Sequence, residues 1–419
     1  MKKAVFTICS ANYLPTAKVL MDSLRTHEPD SRRVLVLVES SWTAGRMRAL
    51  GEVLNCEIMP LSALNLPALE RMAFQYDITE FNTSVKPFVF NALFDQGAGA
   101  AIYLDPDICL YAPLTNLWDV LEGHDAVVTP HITEPLPDDG CVPTNENMAR
   151  CGQYNFGFVG LANQPDARRF VTWWAERLVD HCIFHPHHFY FVDQFYGALI
   201  SSFVPSTCVW AHHSYNFAYW NASQRSLQGS VANGWVTGDG PLVFFHFSGF
   251  TAADPDALSR HQDRVRAEPG SALSEISHAY RAAVQANEAS MAAFVEPYSF
   301  ACYTDGTPID LLERRAYRDL SSADKQLLPN PFDPELRDRL SVFHEINDVS
   351  GSPTGLLWQL WQLRQQGDAW RAQEISGLRR ELDRAEAALQ ATRGSVSYRL
   401  GRLMTAPLRW LRDRLNVSA

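Results

Sequence analysis

The chain is predicted to be an α/β protein, a sheet flanked by helices with a helical C-terminal extension. Short β-rich runs alternate with helical patterns over the first 130 residues. The strand runs are continuously apolar, as in Val34-Leu35-Val36-Leu37-Val38, which is the texture of strands covered on both faces. Beyond residue 254 the pattern turns mostly helical.

In chain order, residues 5–8 form the first strand, 15–26 a helix and 34–38 the second strand. Helices follow over 43–54, 63–72 and 85–94, the last stopped by Gly97 and Gly99. Residues 101–104 and 126–129 are the next strands. Between 130 and 150 the chain is rich in Pro, Asp, Gly and Asn, a surface loop placed to act as a lid or an acceptor-side wall. Residues 156–161 read as a strand, and 168–181 and 189–200 as helices. A last strand over 242–245 delivers His246 at its C-terminal end, the edge where open α/β sheets gather functional groups.

These patterns divide the chain into an α/β unit over 1–250, a helical accessory region over 251–345 broken by Pro-rich stretches, and a linker and helix over 346–370. Over 371–392, Ile375, Leu378, Leu382, Ala385 and Leu389 recur three and four residues apart, as in a short coiled coil able to form a homodimer or to pack on its own protein. Residues 393–419 carry six Arg and one Asp around Leu400, Leu403, Leu408, Trp410 and Leu411. Such a basic amphipathic tail can lie on an anionic membrane surface or dock on protein.

Composition removes several function classes. With 46 % hydrophobic and 20 % charged residues the chain can bury a large core and is not disordered. A net charge of -11 argues against nucleic acid as a partner. The eight cysteines include no CxxC pair, which fits cytosolic thiols rather than a zinc cluster or a secreted disulfide scaffold. The start MKKAVFTICSAN has too short an apolar run and no cleavage pattern for an export signal. No stretch reaches the ~20 apolar residues of a membrane span, so membrane contact is expected to be peripheral, at the inner face of the cytoplasmic membrane.

The sharpest local signal is Tyr103-Leu104-Asp105-Pro106-Asp107, a buried strand running into two carboxylates two residues apart. Hard divalent cations take carboxylate oxygens, and a cation stabilises a departing diphosphate. A DxD triplet alone is a weak signal, because acidic residues at strand ends also serve as turns and caps. His246 alone would be read as a core histidine. Paired with the triplet it becomes a third ligand, in a donor set that suits manganese. The histidines His181, His185, His187 and His188 read as a loop wall rather than a second metal site.

The segment AIYLDPDICLYAPLTNLWDVL resembles the DxD region of the retaining glycosyltransferases of family eight, the lipopolysaccharide galactosyltransferase and glycogenin group. Five further features match in the same order, across residues 3–250: Thr7 to Asn12 with Tyr13, Lys86, the Tyr154-Asn155-Phe156-Gly157 strand, Asp193-Gln194, and His246 where the family's third metal ligand follows a late strand.

The resemblance implies a GT-A fold, a single Rossmann-like mixed sheet forming a catalytic domain over 1–250. It also implies Mn2+ or Mg2+ on Asp105, Asp107 and His246, and donor contacts from Thr7, Asn12, Tyr13, Lys86, Asp105, Asn155 and Gly249. Asp193 and Asn155 would act at the reacting carbon. The implied activity is hexose transfer from a nucleoside diphosphate sugar, UDP-sugar favoured, to a glycan acceptor. The C-terminal segments resemble extensions of surface-polysaccharide enzymes, which implies a lipid-linked acceptor. This chain departs from the family after His246, reading Phe247-Ser248-Gly249-Phe250-Thr251 without the usual lysine. That departure leaves a second class open, a non-catalytic nucleotide-sugar or carbohydrate-binding protein of the same fold. A nucleotidyltransferase would need a Gly-rich phosphate loop, and Thr7 to Leu14 contains no glycine.

Overall fold

A computed structural model of the chain describes residues 1–185, 190–320, 325–326 and 330–336. The described residues belong to one compact unit bounded at Leu340. The segments expected to form a linker, coiled coil and basic tail, 346–419, lie outside the described residues.

The first half runs β1 (Lys3–Cys9), α1 (Leu14–His27), β2 (Arg32–Leu37), α2 (Ala44–Leu54), β3 (Glu57–Pro60), α3 (Leu69–Gln75), α4 (Ile78–Ser84), α5 (Lys86–Asp95), β4 (Ala100–Leu104) and β5 (Ile108–Leu110). It continues with α6 (Thr115–Gly123), β6 (Ala126–Pro130), α7 (Asn145–Cys151), β7 (Tyr154–Ala162) and α8 (Pro165–Leu178). Short elements follow: β8 (Phe184–His185), β9 (Tyr190–Phe191), α9 (Gln194–Gly197), α10 (Ile200–Phe203), β10 (Thr207–Val209) and β11 (Phe217–Ala218). Then come β12 (Leu227–Ser230), β13 (Gly234–Thr237), β14 (Gly240–Pro241), β15 (Phe244–His246), α11 (Ala272–Met291) and α12 (Leu311–Asp319).

The expected α/β architecture is present as a seven-stranded mixed sheet in the order β10-β6-β7-β4-β1-β2-β3. All pairings are parallel except those of β7, which runs antiparallel to both β4 and β6. Alternate residues of each strand bury opposite faces. Phe6, Val34, Val36 and Tyr103 pack against Phe90 and Leu93 of α5 and Trp174 of α8. Val5, Leu35, Leu37 and Ile102 pack against α1, Leu50 of α2 and Trp118 of α6. Covering on both faces explains why these strands are continuously apolar in sequence.

Where the helical reading failed, a single backbone conformation overrode the apolar spacing. The helix expected over 63–72 is a 3-10 turn, Leu61–Leu64, followed by α3. Asn65 is left-handed at φ 49 and Pro67 lacks an N–H, so no helix can run through them. The helix expected over 189–200 is likewise replaced by β9, α9 and α10. Val192 at φ 43 breaks it, and β9 pairs with β8 through Phe184 and Phe191. The last strand, expected over 242–245, is β15, and it joins a separate three-stranded sheet in the order β11-β15-β5 rather than the large one.

Beyond residue 250, α11 packs along α1, and Ile276 and Tyr280 meet Phe245 and Phe247. The α12 segment is pinned by Arg314, which is buried and donates to the carbonyls of Ala73, Phe74, Tyr76 and Phe300 at 3.1, 2.8, 2.9 and 2.6 Å. Two neighbouring contacts tighten the same junction. Asp77 and Glu80 form a capping box on α4, and Glu80 also accepts from Arg315. Replacing Arg314 with Met keeps the aliphatic stem but leaves these carbonyls without their donor. Equilibrium urea unfolding of Arg314→Met is expected to show a loss of about 2–4 kcal/mol.

Candidate functional site

The site forms where β4 ends at the carboxyl edge of the parallel strands. Asp105-Pro106-Asp107 makes a turn closed by the Ile108 N–H on the Asp105 carbonyl at 3.0 Å, and β5 leaves it at once. Antiparallel pairing of β5 with β15 sets His246 opposite Ile108, and the Phe247 N–H donates to the Asp107 carbonyl at 2.9 Å. His246 is thereby hung over the turn by a backbone ladder. Its Nε2 lies 3.1 Å from Oδ1 of Asp107 and 3.5 Å from Oδ2 of Asp105. One ligand atom from each of the three residues lies within 4.8 Å of the others, the one such group of three or more among the described residues. Two carboxylates and an imidazole at this spacing fit a divalent cation.

β7 supplies the wall behind this cluster. Being antiparallel, it starts at the edge where β4 stops, and the Asp105 N–H donates to the Gly157 carbonyl at 2.7 Å. A Cβ on Gly157 would stand 2.3 Å from Cε1 of His246 and 2.7 Å from Oδ2 of Asp105. Gly157 is what lets imidazole and carboxylate meet. Tyr103 donates its hydroxyl hydrogen to Oδ1 of Asp105 and orients that carboxylate.

Burial raises the pKa of Asp105, partly offset by the positive charge of Lys86 and by His246, while Asp107 adds to the rise. For His246, burial alone would lower the pKa. Asp107 and then Asp105 override it, and the net direction is up. An enclosed site with mutually repelling carboxylates is electrostatically ready for a cation.

The other residues read from the sequence fall into two groups. Lys86 and Asp193 are joined deep inside, with side chains 1 % and 3 % exposed and Nζ 2.5 Å from Oδ2. Lys86 also donates to the Phe156 carbonyl at 2.8 Å and lies over the Tyr103 ring. Its ammonium is thus committed inside the protein rather than offered to an outer phosphate. Burial pushes the Asp193 carboxyl up to about 6 against the opposing pull of Lys86. Gln194 accepts from the Phe156 N–H at 3.1 Å and donates to the Cys151 carbonyl, so it braces the start of β7. Asn155 has its amide oxygen bonded to the Gly157 N–H and to Asn216, and its NH2 directed at His131.

At the rim, Tyr13 is 39 % exposed, and Asn12 before it in the chain is exposed. Asp107 and Asp105 lie close enough to act on the Tyr13 hydroxyl, which puts it in the field of the cluster. Thr7 is fully buried, and its hydroxyl has no hydrogen-bond partner among the described residues. Gly249 is left-handed at φ 68, and a Cβ there would strike His261 and Ser259. The sequence reading missed His131 and Asn216. Asn216 holds φ 51 in the loop before β11, and nothing in an aromatic-rich run signals such a conformation.

No family model and no curated protein matches the chain. Among solved structures it is similar to the galactosyltransferase LgtC in complex with donor and acceptor sugar analogs. That match has 13 % identity over 68 % of this chain and 95 % of that one, at a TM-score of 0.43. The glycosyltransferase GlyE of Streptococcus pneumoniae matches at 15 % identity over 72 % of this chain and 67 % of its own, TM-score 0.41. Mouse xyloside xylosyltransferase 1, in its apo form, matches at 15 % identity over 59 % of this chain and 98 % of its own, TM-score 0.37. All three TM-scores lie below 0.5.

Gly157→Ala tests the close packing of that site. The added methyl is expected to displace the imidazole and weaken Mn2+ binding, measured by electron paramagnetic resonance, by about tenfold or more, the scale on which metal-ligand support acts.

Proposed function

We propose that the chain is a metal-dependent glycosyltransferase that moves a hexose from a nucleoside diphosphate sugar, UDP-sugar favoured, to a glycan acceptor. The observation that carries the reading is the convergence of Asp105, Asp107 and His246 from two distant strands onto one point. Mn2+ or Mg2+ held there would neutralise the charge that develops on the departing diphosphate. Tyr13 stands at the rim beside these residues and, with Asn12 before it in the chain, would border the nucleotide part of the donor. Thr7 and Gly249 belong to the same set of donor contacts on the family-eight resemblance alone.

Asp193 is the candidate for the reacting carbon. Lys86 counters the desolvation that would otherwise keep this carboxyl neutral, so at neutral pH Asp193 carries the negative charge that can stabilise oxocarbenium character or orient an acceptor hydroxyl. The role of Asn155 in this reading is indirect, because its amide is bonded within the protein. Retention of anomeric configuration and a surface-polysaccharide or lipopolysaccharide acceptor on a lipid are supported by the resemblance alone, and peripheral attachment through residues 393–419 by their basic amphipathic pattern. No helix among the described residues is long and apolar enough to cross a membrane.

The decisive experiment is nucleoside diphosphate release from UDP-, GDP- and dTDP-sugars, with Mn2+ or EDTA, by the intact chain and by Asp107→Ala. Release from one donor with Mn2+, abolished by EDTA and reduced about 10²-fold or more by the substitution, is expected. Metal-dependent donor binding without release in the presence of glycan acceptors would establish the non-catalytic reading instead. Absence of both binding and release would reject the donor site.

The pH profile gives a second check. If ionised Asp193 is required, activity is expected to fall as pH drops through about 6. Removing the cation in Lys86→Met raises that carboxyl further, so the acid limb of kcat should move to higher pH by about one unit or more.

A further inference from the structure

A line of hydrogen bonds runs from the back of His246 away from the two carboxylates. Nδ1 of His246 faces Oδ1 of Asn216 at 3.2 Å. Nδ2 of Asn216 donates to Oδ1 of Asn155 at 3.0 Å and to the Thr129 hydroxyl at 2.8 Å. Nδ2 of Asn155 faces Nε2 of His131 at 3.3 Å, and Nδ1 of His131 faces the Gly152 carbonyl at 2.7 Å. All four side chains are buried.

Backbone groups at two points decide which way every hydrogen points, because a backbone N–H can only donate and a carbonyl can only accept. The Gly157 N–H lies 3.1 Å from Asn155, so the atom facing it is the amide oxygen. The Asn216 atom that meets this oxygen must be its NH2. The Asn216 carbonyl therefore faces His246, and Nδ1 of His246 must carry the hydrogen. At the other end the Gly152 carbonyl requires the hydrogen of His131 on Nδ1, which leaves Nε2 of His131 to accept from Asn155. Burial keeps His131 neutral, its pKa lowered to about 4, so that lone pair is available. The two ends independently assign the same orientation to Asn155.

Asn216 is held in this pose by its backbone. It occupies the left-handed region at φ 51, and its carbonyl accepts from Asn221 at 3.0 Å. Asn tolerates that conformation better than most residues.

We propose that His131, Asn155 and Asn216 form a positioning relay that fixes His246 as its Nδ1–H tautomer, with the bare Nε2 aimed between Asp105 and Asp107. The proposal rests on the reading of these three residues as a cation site, and it assigns functions to His131 and Asn216, which touch neither carboxylate. A neutral imidazole has one lone pair to offer, and the other tautomer would turn an N–H toward the cation. The relay opposes that tautomer from the Nδ1 side, and a cation takes the place that a hydrogen shared with Asp107 would hold on Nε2. It also gives Asn155 a part in building the ligand.

The test uses the intact chain with 15N-labelled histidine, the variants Asn216→Ala, His131→Phe and His131→Gln, and two readouts. NMR of the Mg2+-loaded protein reports which His246 nitrogen bears the hydrogen, and Mn2+ titration followed by electron paramagnetic resonance reports affinity. Expected are an Nδ1–H His246 in the wild type, and Mn2+ binding about tenfold or more weaker in Asn216→Ala and His131→Phe. His131→Gln, whose amide oxygen can accept where Nε2 did, should stay within about threefold of wild type. Wild-type affinity in both Asn216→Ala and His131→Phe, with an unchanged His246 signature, would overturn the relay. If Asn216→Ala does not fold, the contrast between Phe and Gln at position 131 decides. If the wild type takes up no Mn2+, the cation reading fails. The metal-free protein at alkaline pH then judges the relay: Nδ1–H in the wild type with a mixture in His131→Phe upholds it, and a mixture in both rejects it.

Discussion

Asp105 and Asp107 by themselves are two carboxylates at the end of a buried strand, a pattern that usually means a turn or a cap. What changes their chemistry is the antiparallel ladder between β5 and β15, which carries His246 back across the DxD turn and leaves Nε2 3.1 Å from Asp107. The ladder acts on the site through backbone hydrogen bonds, which fix the register of residues remote in sequence. Much of the remaining architecture serves this pairing. The β11-β15-β5 sheet is sealed by Phe217, Phe245 and Phe247, and Phe247 stacks on Tyr280 of α11. Helix α11 is thus part of what holds His246 over the turn.

The reversal of β7 is the second constraint. A parallel strand in that position would deliver its far end to this edge. An antiparallel one delivers its start, and with it Asn155, Phe156 and Gly157. Each of the three serves a different group: Gly157 yields space to His246, the Phe156 carbonyl accepts from Lys86, and Asn155 links Gly157 to Asn216. The interior here is unusually polar, and such groups are stable in a low dielectric only when paired. Lys86 with Asp193, and the two histidines with the two asparagines, meet that condition, and the pairing fixes their orientations.

Much of the fold was legible because its signals are local and redundant. The apolar runs of β1, β2 and β4 and the helical spacing of α1, α2 and α5 are each encoded by their own residues and agree with the covering of both sheet faces. The failures were local as well: Asn65 and Val192 take left-handed backbones that no periodicity reveals, and each cut a predicted helix. In the site, the carboxylate pair was visible as a motif, and His246, Asp193 and Lys86 through the family resemblance. Their partnership was not visible, because charge pairing between a helix start and a loop depends on where the sheet sets them.

The sequence by itself determined the α/β class and the strand that ends in Asp105 and Asp107, since these depend on composition and short-range periodicity, and the family resemblance singled out His246 as their partner. Only the tertiary structure decided that β15 pairs with β5 rather than extending the large sheet, that Lys86 is bound to Asp193, and that His131 and Asn216 stand behind His246. Those facts depend on strand register and on the direction of single hydrogen bonds. Both are settled by which buried donors and acceptors can be satisfied together, a condition on the whole packed interior rather than on any stretch of chain.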